Sequence, residues 1–281
     1  MNATPNFRTG GQILVDQLRI HGGDTIFCVP GESYLATLDA LYDAKDDIKV
    51  VICRQEGGAA NMADAYGKLT GRPGIVFATR GPGAANASVG IHTAHQDSTP
   101  VILLLGQVGR AMMDREAFQE VEFRQMYAPL SKWVAQIDDP ARIPEMVSRA
   151  FHVATSGRPG PVVLALPEDM QREQAAANDA VRYTEIQAAP PPVDIERLLT
   201  ALNAAERPFV ILGGSGWTEA ACQDFQGFAE AFDLPIGAAF RRQDLFDNTH
   251  PNYVGDIGLG VNPPLARRLQ EADLLIVVGA Q

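Results

Sequence analysis

Cysteine is scarce and scattered. The 281 residues hold three, Cys28, Cys53 and Cys222, each in an apolar run and far from the others. No pair has the spacing of a redox motif or a thiolate metal site, so no disulfide framework is expected, and reduced thiols fit a cytoplasmic protein. Basic side chains are also few. The 23 Lys and Arg stand against 34 Asp and Glu, a formal net charge of −11, which argues against non-specific nucleic-acid binding and against an anionic membrane surface. No apolar run reaches the length of a membrane span, and Met1–Pro5 lacks the charged-then-apolar order of a signal peptide. His92 and His95 sit at i,i+3 spacing without a third ligand nearby, so the chain is assigned no metal ligands of its own.

What is present is an ordinary apolar share of 46%, enough for two cores in a chain whose length favours about two domains. Five apolar segments, Thr25–Val29, Ile48–Cys53, Gly74–Thr79, Val101–Leu105 and Val162–Leu166, barely alternate. They read as strands buried on both faces, the mark of a parallel sheet between helical layers. Thr9 is a candidate N-cap for a helix carrying Ile13, Leu14 and Leu18 and stopped by Gly22-Gly23. Further helices are expected over Tyr34–Tyr42, from Gly81-Pro82-Gly83 toward His95, and over Ile143–Thr155. Beyond Gln171 polar residues and Ala dominate, and Pro190-Pro191-Pro192 favours an extended spacer. A second α/β unit follows, with a helix near Ile195–Ala205, the strand Phe209–Leu212, the turn Gly213–Gly216 and a last strand Leu274–Gly279. The expected fold is thus α/β, two three-layer domains with mostly parallel sheets: 1–170, a linker 171–193, and 194–281. A strand and turn make an abrupt end for such a domain, so truncation is expected.

One stretch organises the rest. Arg54-Gln55-Glu56-Gly57-Gly58-Ala59-Ala60 follows a strand and opens a small-residue helix with Ala59, Ala63 and Tyr66 on one face and Gly71 as its stop. Glu56 therefore belongs at the carboxyl edge of a sheet, where open α/β sheets place their ligands. Gly57 and Gly58 leave room for a flat ring beside it. An N-terminal Glu favoured by the helix dipole is the plainer alternative. The glycine-rich Gly213–Gly216 turn lacks the third glycine of a dinucleotide fingerprint, because Glu219 takes its place.

Four stretches in order, Phe27-Cys28-Val29-Pro30-Gly31, Arg54–Ala60, Ala78-Thr79-Arg80-Gly81-Pro82-Gly83-Ala84-Ala85-Asn86 and Ala117-Phe118-Gln119-Glu120, resemble thiamine-diphosphate-dependent enzymes, nearest to acetolactate synthases and the neighbouring decarboxylases and carboligases. The resemblance implies a pyrimidine-binding domain followed by a Rossmann-like central domain. It implies that Glu56 is the catalytic residue, hydrogen-bonded to a ring nitrogen of the aminopyrimidine so that the shared proton makes that ring a base. Pro30, Gly31, Thr79, Gly81, Pro82, Gly83 and Asn86 would complete the cofactor's walls, and Phe118 and Gln119 would line the substrate side. For Gly81-Pro82-Gly83 a sheet-edge turn, and for Phe118 a core aromatic, are the alternatives. His95, one helix beyond the cofactor loop, is a further candidate to face the site.

The resemblance also implies Mg²⁺, held with the diphosphate by a Gly-Asp-Gly motif in a third domain. Gly255-Asp256-Ile257 fails that pattern, so the chain is expected to be inactive alone. The site would form between subunits of a homo-oligomer, a dimer or tetramer. FAD is possible by family, but the stretch around Gly255–Val261 matches the flavin segment poorly. Two departures bear on the substrate: Gly31-Glu32-Ser33 stands where acetolactate synthases have Gly-Gly-Ala, and Pro167-Glu168-Asp169 where they have Pro-Lys-Asp. A carboxylate there would disfavour an anionic 2-keto acid or select another donor. The expected activity is C–C cleavage or ligation on a 2-keto acid or related acyl donor. A simple decarboxylase or lyase, or a non-catalytic ligand-binding module, is the alternative.

Overall fold

The structure, a computed structural model, describes residues 7–186 and 188–280 and comprises two units, Met1–Ile186 and Gln187–Gln281. Met1–Pro5 and Gln281 lie outside the described residues.

In the first unit a short strand β1 (Phe7–Thr9) leads into α1 (Gly10–Ile20), whose N-cap is Thr9. The Thr9 hydroxyl accepts from the Gln12 amide and the Gln12 side chain accepts from the Thr9 amide, a reciprocal box that satisfies two otherwise orphaned donors. The chain then runs through β2 (Thr25–Cys28), α2 (Leu35–Asp43), β3 (Lys49–Ile52), α3 (Glu56–Thr70), β4 (Gly74–Thr79), α4 (Arg80–Gln96) and β5 (Val101–Gln107). After α5 (Phe123–Tyr127) come β6 (Trp133–Gln136), α6 (Ile143–Thr155), β7 (Pro161–Pro167), α7 (Glu168–Arg172) and β8 (Gln174–Ala176). Six strands form one parallel sheet in the order β3-β2-β4-β5-β7-β6.

The strands send alternate residues to two cores. Ile75, Phe77, Ile102 and Leu104 face one layer with Leu14 and Leu18 of α1 and Phe151 of α6. Val76, Ala78, Leu103 and Leu105 face the other, with Ala59, Ala60 and Ala63 of α3 and Ala84, Ala87 and Ile91 of α4. Small residues bring α3 and α4 close: a Cβ on Gly90 would lie 2.5 Å from the Cβ of Ala60. Truncating Leu14 or Leu18, both fully buried, would cost about 2–5 kcal/mol.

Three details depart from the pattern-based expectation. The run Ile48–Cys53, expected to be buried on both faces, forms an edge strand with Ile52 exposed, because a continuous apolar run does not reveal a strand's place in the sheet. Gly81-Pro82-Gly83 lies inside the first turn of α4 rather than in a turn before it; Pro is tolerated there because first-turn amides have no intrahelical partner. Residues 171–183 are anchored on the first unit. β8 pairs antiparallel with β1, Gln171 Nε2 donates to the Ser33 carbonyl at 2.9 Å, and the Tyr183 amide donates to His21 Nδ1 at 3.1 Å.

The second unit holds α8 (Pro192–Ala204), β9 (Pro208–Leu212), α9 (Glu219–Ala231), β10 (Ile236–Ala239), β11 (Tyr253–Ile257), α10 (Pro263–Gln270) and β12 (Leu274–Val278). Its sheet is parallel, ordered β11-β10-β9-β12. Pro192, the last of the three prolines, is the first residue of α8, where its fixed φ suits the helix. Both units are α/β with mostly parallel sheets, and among the described residues no helix is long and apolar enough to cross a membrane.

Candidate functional site

The carboxyl ends of β2, β3, β4 and β5 lie side by side, and the chemistry-bearing residues of the first unit gather there. α3 begins directly after β3, with Gln55 as N-cap: its side-chain oxygen accepts from the Gly58 amide at 2.8 Å. Glu56 is the first helical residue. It is 8% exposed, unusual for a carboxylate with no ion pair among the described residues, and it stands at the positive end of the helix.

The two carboxylate oxygens have different surroundings. Oε2 accepts from Asn86 Nδ2 at 2.9 Å. Among the described residues no hydrogen-bond donor engages Oε1, which faces Gly83; a Cβ placed there would lie 3.2 Å away. One oxygen is held and the other faces a bare backbone, an unspent acceptor that fits a ligand N–H.

The other residues predicted to form the walls lie on the same sheet edge or in the turn that opens α4. A Cβ on Gly31 would lie 2.4 Å from that of Thr79, so the bare Gly31 admits the threonine side chain rather than open space. The Thr79 hydroxyl lies 2.7 Å from the Ser33 hydroxyl. Ser33 is fully buried, which gives the departure at Gly31-Glu32-Ser33 a packing role. Pro30 and Pro82 are exposed and Gly81 is buried. Gly57 does not open space for a ring either. It is buried, and a Cβ on it would lie within 3.1 Å of both Val89 and the Asn86 carbonyl, whereas nothing lies within 4 Å of one on Gly58. Tyr34, whose hydroxyl donates to the Val29 carbonyl, has its pKa raised by burial first and then by neighbouring charge that includes Glu56.

Phe118 and Gln119 reach this edge through their loop. The Gly81 amide donates to the Gln119 carbonyl at 2.9 Å, and Gln107 Nε2 donates to the Val121 carbonyl at 2.9 Å. Gln119 adopts a φ of +66°. Glu120 folds the loop back on itself by accepting from the Asp114 and Ala117 amides, and these bonds lower its pKa. The Phe118 ring is 77% exposed, so it is no core aromatic.

His95 lies 15 residues into α4, about 22 Å along the axis from its start, and so far from Glu56. Its carbonyl accepts from Arg158. Arg80, within the Ala78–Asn86 stretch, has a role that its sequence setting does not signal. Its Nη2 donates to Glu168 Oε2 at 2.7 Å, so the Glu168 carboxylate is paired rather than bare. Asp169 is paired as well, with Arg110 Nε at 2.9 Å; burial opposes its charge, but the Arg110 bonds bring its pKa below the usual range. Among the described residues no group of three or more His, Cys, Asp and Glu side chains could hold a metal ion.

The edge-borne carboxylate and its walls fall within a match to the family model "Thiamine pyrophosphate enzyme, N-terminal TPP binding domain" over residues 8–126. The model "Thiamine pyrophosphate enzyme, central domain" matches residues 195–281. The chain belongs to the thiamine pyrophosphate enzyme family. Within it, the chain is similar to acetolactate synthases. It is 35% identical to the acetolactate synthase large subunit of Parasynechococcus marenigrum, across 99% of this chain and 46% of that protein. Identity to the acetolactate synthase of Arthrospira platensis is 34%, across 97% and 49%. For the large subunit of acetolactate synthase isozyme 2 from Escherichia coli K12 it is 32%, across 97% and 49%. The chain thus spans about half the length of these relatives, corresponding to the N-terminal and central domains of a thiamine pyrophosphate enzyme.

Proposed function

We propose that this chain supplies the pyrimidine-binding half of an acetolactate-synthase-like active site that cleaves or joins C–C bonds of a 2-keto acid or related acyl donor. The observation that carries this is the Glu56 carboxylate, with one oxygen held by Asn86 and the other facing the bare Gly83 without a donor among the described residues. Thiamine diphosphate, when bound, supplies a carbanion equivalent on its thiazolium ring. Glu56 would share a proton with a pyrimidine nitrogen, a positioned acid–base contact worth roughly a hundredfold to ten-thousandfold in rate. Asn86 would orient that carboxylate. Pro30, Gly31, Thr79, Gly81, Pro82 and Gly83 would shape the pyrimidine's walls, and Phe118 and Gln119 the substrate side.

We infer that the diphosphate and its Mg²⁺ are held by a third domain, contributed by another subunit of a cytoplasmic homo-oligomer. The half-length match to the relatives supports a further domain, and the three free thiols fit a reducing compartment. Nothing in this assignment calls on a flavin. The test is an assay of the complete protein with thiamine diphosphate, Mg²⁺ and a panel of 2-keto acids. Acetolactate from pyruvate identifies ligation and acetaldehyde identifies decarboxylation. No cofactor binding and no turnover would return the chain to the class of non-catalytic modules.

A further inference from the structure

Arg80 carries two anomalies. It is a non-glycine residue with a φ of +32°, and its Nε–H is buried without a hydrogen-bond partner among the described residues. Both cost free energy, and such costs concentrate at functional sites. The side chain also has an unusual path. In the sheet β5 separates β4 from β7, with Thr79 beside Gly106 and Gln107 beside Pro167. Arg80 follows Thr79 and Glu168 follows Pro167, so their 2.7 Å ion pair crosses the end of β5, a span of two strand spacings, about 9.5 Å. The loop bearing Phe118 and Gln119 docks at the same place, because the amide next to Arg80, that of Gly81, donates to the Gln119 carbonyl. The pair therefore lies on the substrate side of the Glu56 edge, with the Arg80 side chain 14% and the Glu168 side chain 34% exposed.

We propose that Arg80 and Glu168 are specificity-determining residues: Arg80 cancels the Glu168 carboxylate at the donor side of the site and so admits an anionic 2-oxo monocarboxylate. The inference rests on the proposed function of the Glu56 site. It separates charge tuning from mere stapling, because the two predict different signs. If the pair only fastens β4 to β7, removing either partner loosens the same structure. If it sets local charge, removing Arg80 leaves a bare carboxylate that repels the donor, whereas removing Glu168 frees a guanidinium that attracts it.

The test uses the complete protein loaded with thiamine diphosphate and Mg²⁺, carrying Glu56→Gln to suppress turnover, and titrates pyruvate and its neutral amide, pyruvamide, by calorimetry. Arg80→Gln is expected to weaken pyruvate on the order of tenfold, and Glu168→Gln to strengthen it by a similar factor, with pyruvamide moving less than about twofold in either. Arg80→Lys, which keeps the charge, holds pyruvate affinity near that of the parent and serves where Arg80→Gln folds poorly. Shifts in the same direction for both variants, equal shifts for pyruvate and pyruvamide, or no pyruvate binding overturn the proposal. Failure of the underlying function is distinct: it appears as a complete protein with Glu56 intact that binds no thiamine diphosphate, whatever stands at 80 and 168.

Discussion

The two units end their sheets in similar ways and with different consequences. At the carboxyl edge of the second unit, the turns after β9 and β12 are glycine-rich and press together. Gly214 and Gly279 have φ of +80° and +68°, and a Cβ on Gly214 would lie 2.6 Å from the Gly279 carbonyl oxygen. The Gly213 carbonyl is capped by Trp217 Nε1 at 2.8 Å. Those glycines close backbone on backbone. At the carboxyl edge of the first unit the glycines are mixed in purpose. Gly31 and Gly57 also serve close packing, but Gly83 stands bare before a carboxylate oxygen that has no donor among the described residues. Glycine-rich turns after parallel strands therefore do not by themselves make a site. In the proposed function it is the buried carboxylate with one unspent acceptor that makes one.

The largest expected effect lies at that acceptor. Glu56→Gln in the complete protein should lower turnover by about a hundredfold or more while leaving the thermal midpoint nearly unchanged, since a Gln oxygen can still accept from Asn86. Unchanged turnover would erase the distinction drawn between the two edges.

A change at the opposite, amino-terminal edge should alter stability without altering the site. His21 is buried against Phe151, with Nδ1 accepting from the Tyr183 amide, and burial, helped by nearby His152 and Arg182, pushes its pKa down to about 4. The unfolded chain takes up that proton near pH 6.5 and the folded chain resists it until about 4. Stability is therefore full above pH 6.5 and falls as pH drops through this window, by about 2–3 kcal/mol. Denaturant titrations of wild type and His21→Phe between pH 4 and 7 should show a slope in the first and a flatter profile in the second. Equal slopes would mean that His21 titrates normally in the folded protein.

In the second unit Gly214→Ala should cost about 1–3 kcal/mol, seen as a lower denaturation midpoint, with the affinity of the complete protein for thiamine diphosphate preserved. A loss of cofactor affinity out of proportion to the midpoint would assign the closed edge a role in binding. The smallest effect is expected from Asn86→Ala, which removes the donor to Glu56 Oε2. A hydrogen bond to a charged group is worth about 1.5–3 kcal/mol, and water replaces part of it at this half-open edge, so turnover should fall about tenfold. Asn86→Asp, which sets like charges together, should cost more.

Much of this was legible in the sequence for physical reasons. Thr9 and Gln12 spell a capping box, and Gly71 at a φ of +69° ends α3 where expected. The strand–Glu–small-residue helix order alone places Glu56 at a sheet edge. What was not legible depends on neighbours in space. Apolar content could not make β3 an edge strand, because strand order is a tertiary property. Gly-Pro-Gly reads as a turn until the Gln119 carbonyl receives the Gly81 amide and the helix starts one residue earlier. Glu168 read as a bare carboxylate because its partner, Arg80, lies 88 positions away.

The most direct measurement of the central claim is hydrogen–deuterium exchange of the acidic thiazolium proton of thiamine diphosphate bound to the complete protein, followed by NMR after rapid acid quench, with wild type and Glu56→Gln compared at matched cofactor saturation. If Glu56 activates the cofactor through the pyrimidine, exchange should slow by about a hundredfold or more in the variant. Equal exchange rates in two saturated proteins would contradict that role and leave Glu56 as a helix-terminal carboxylate without chemical work.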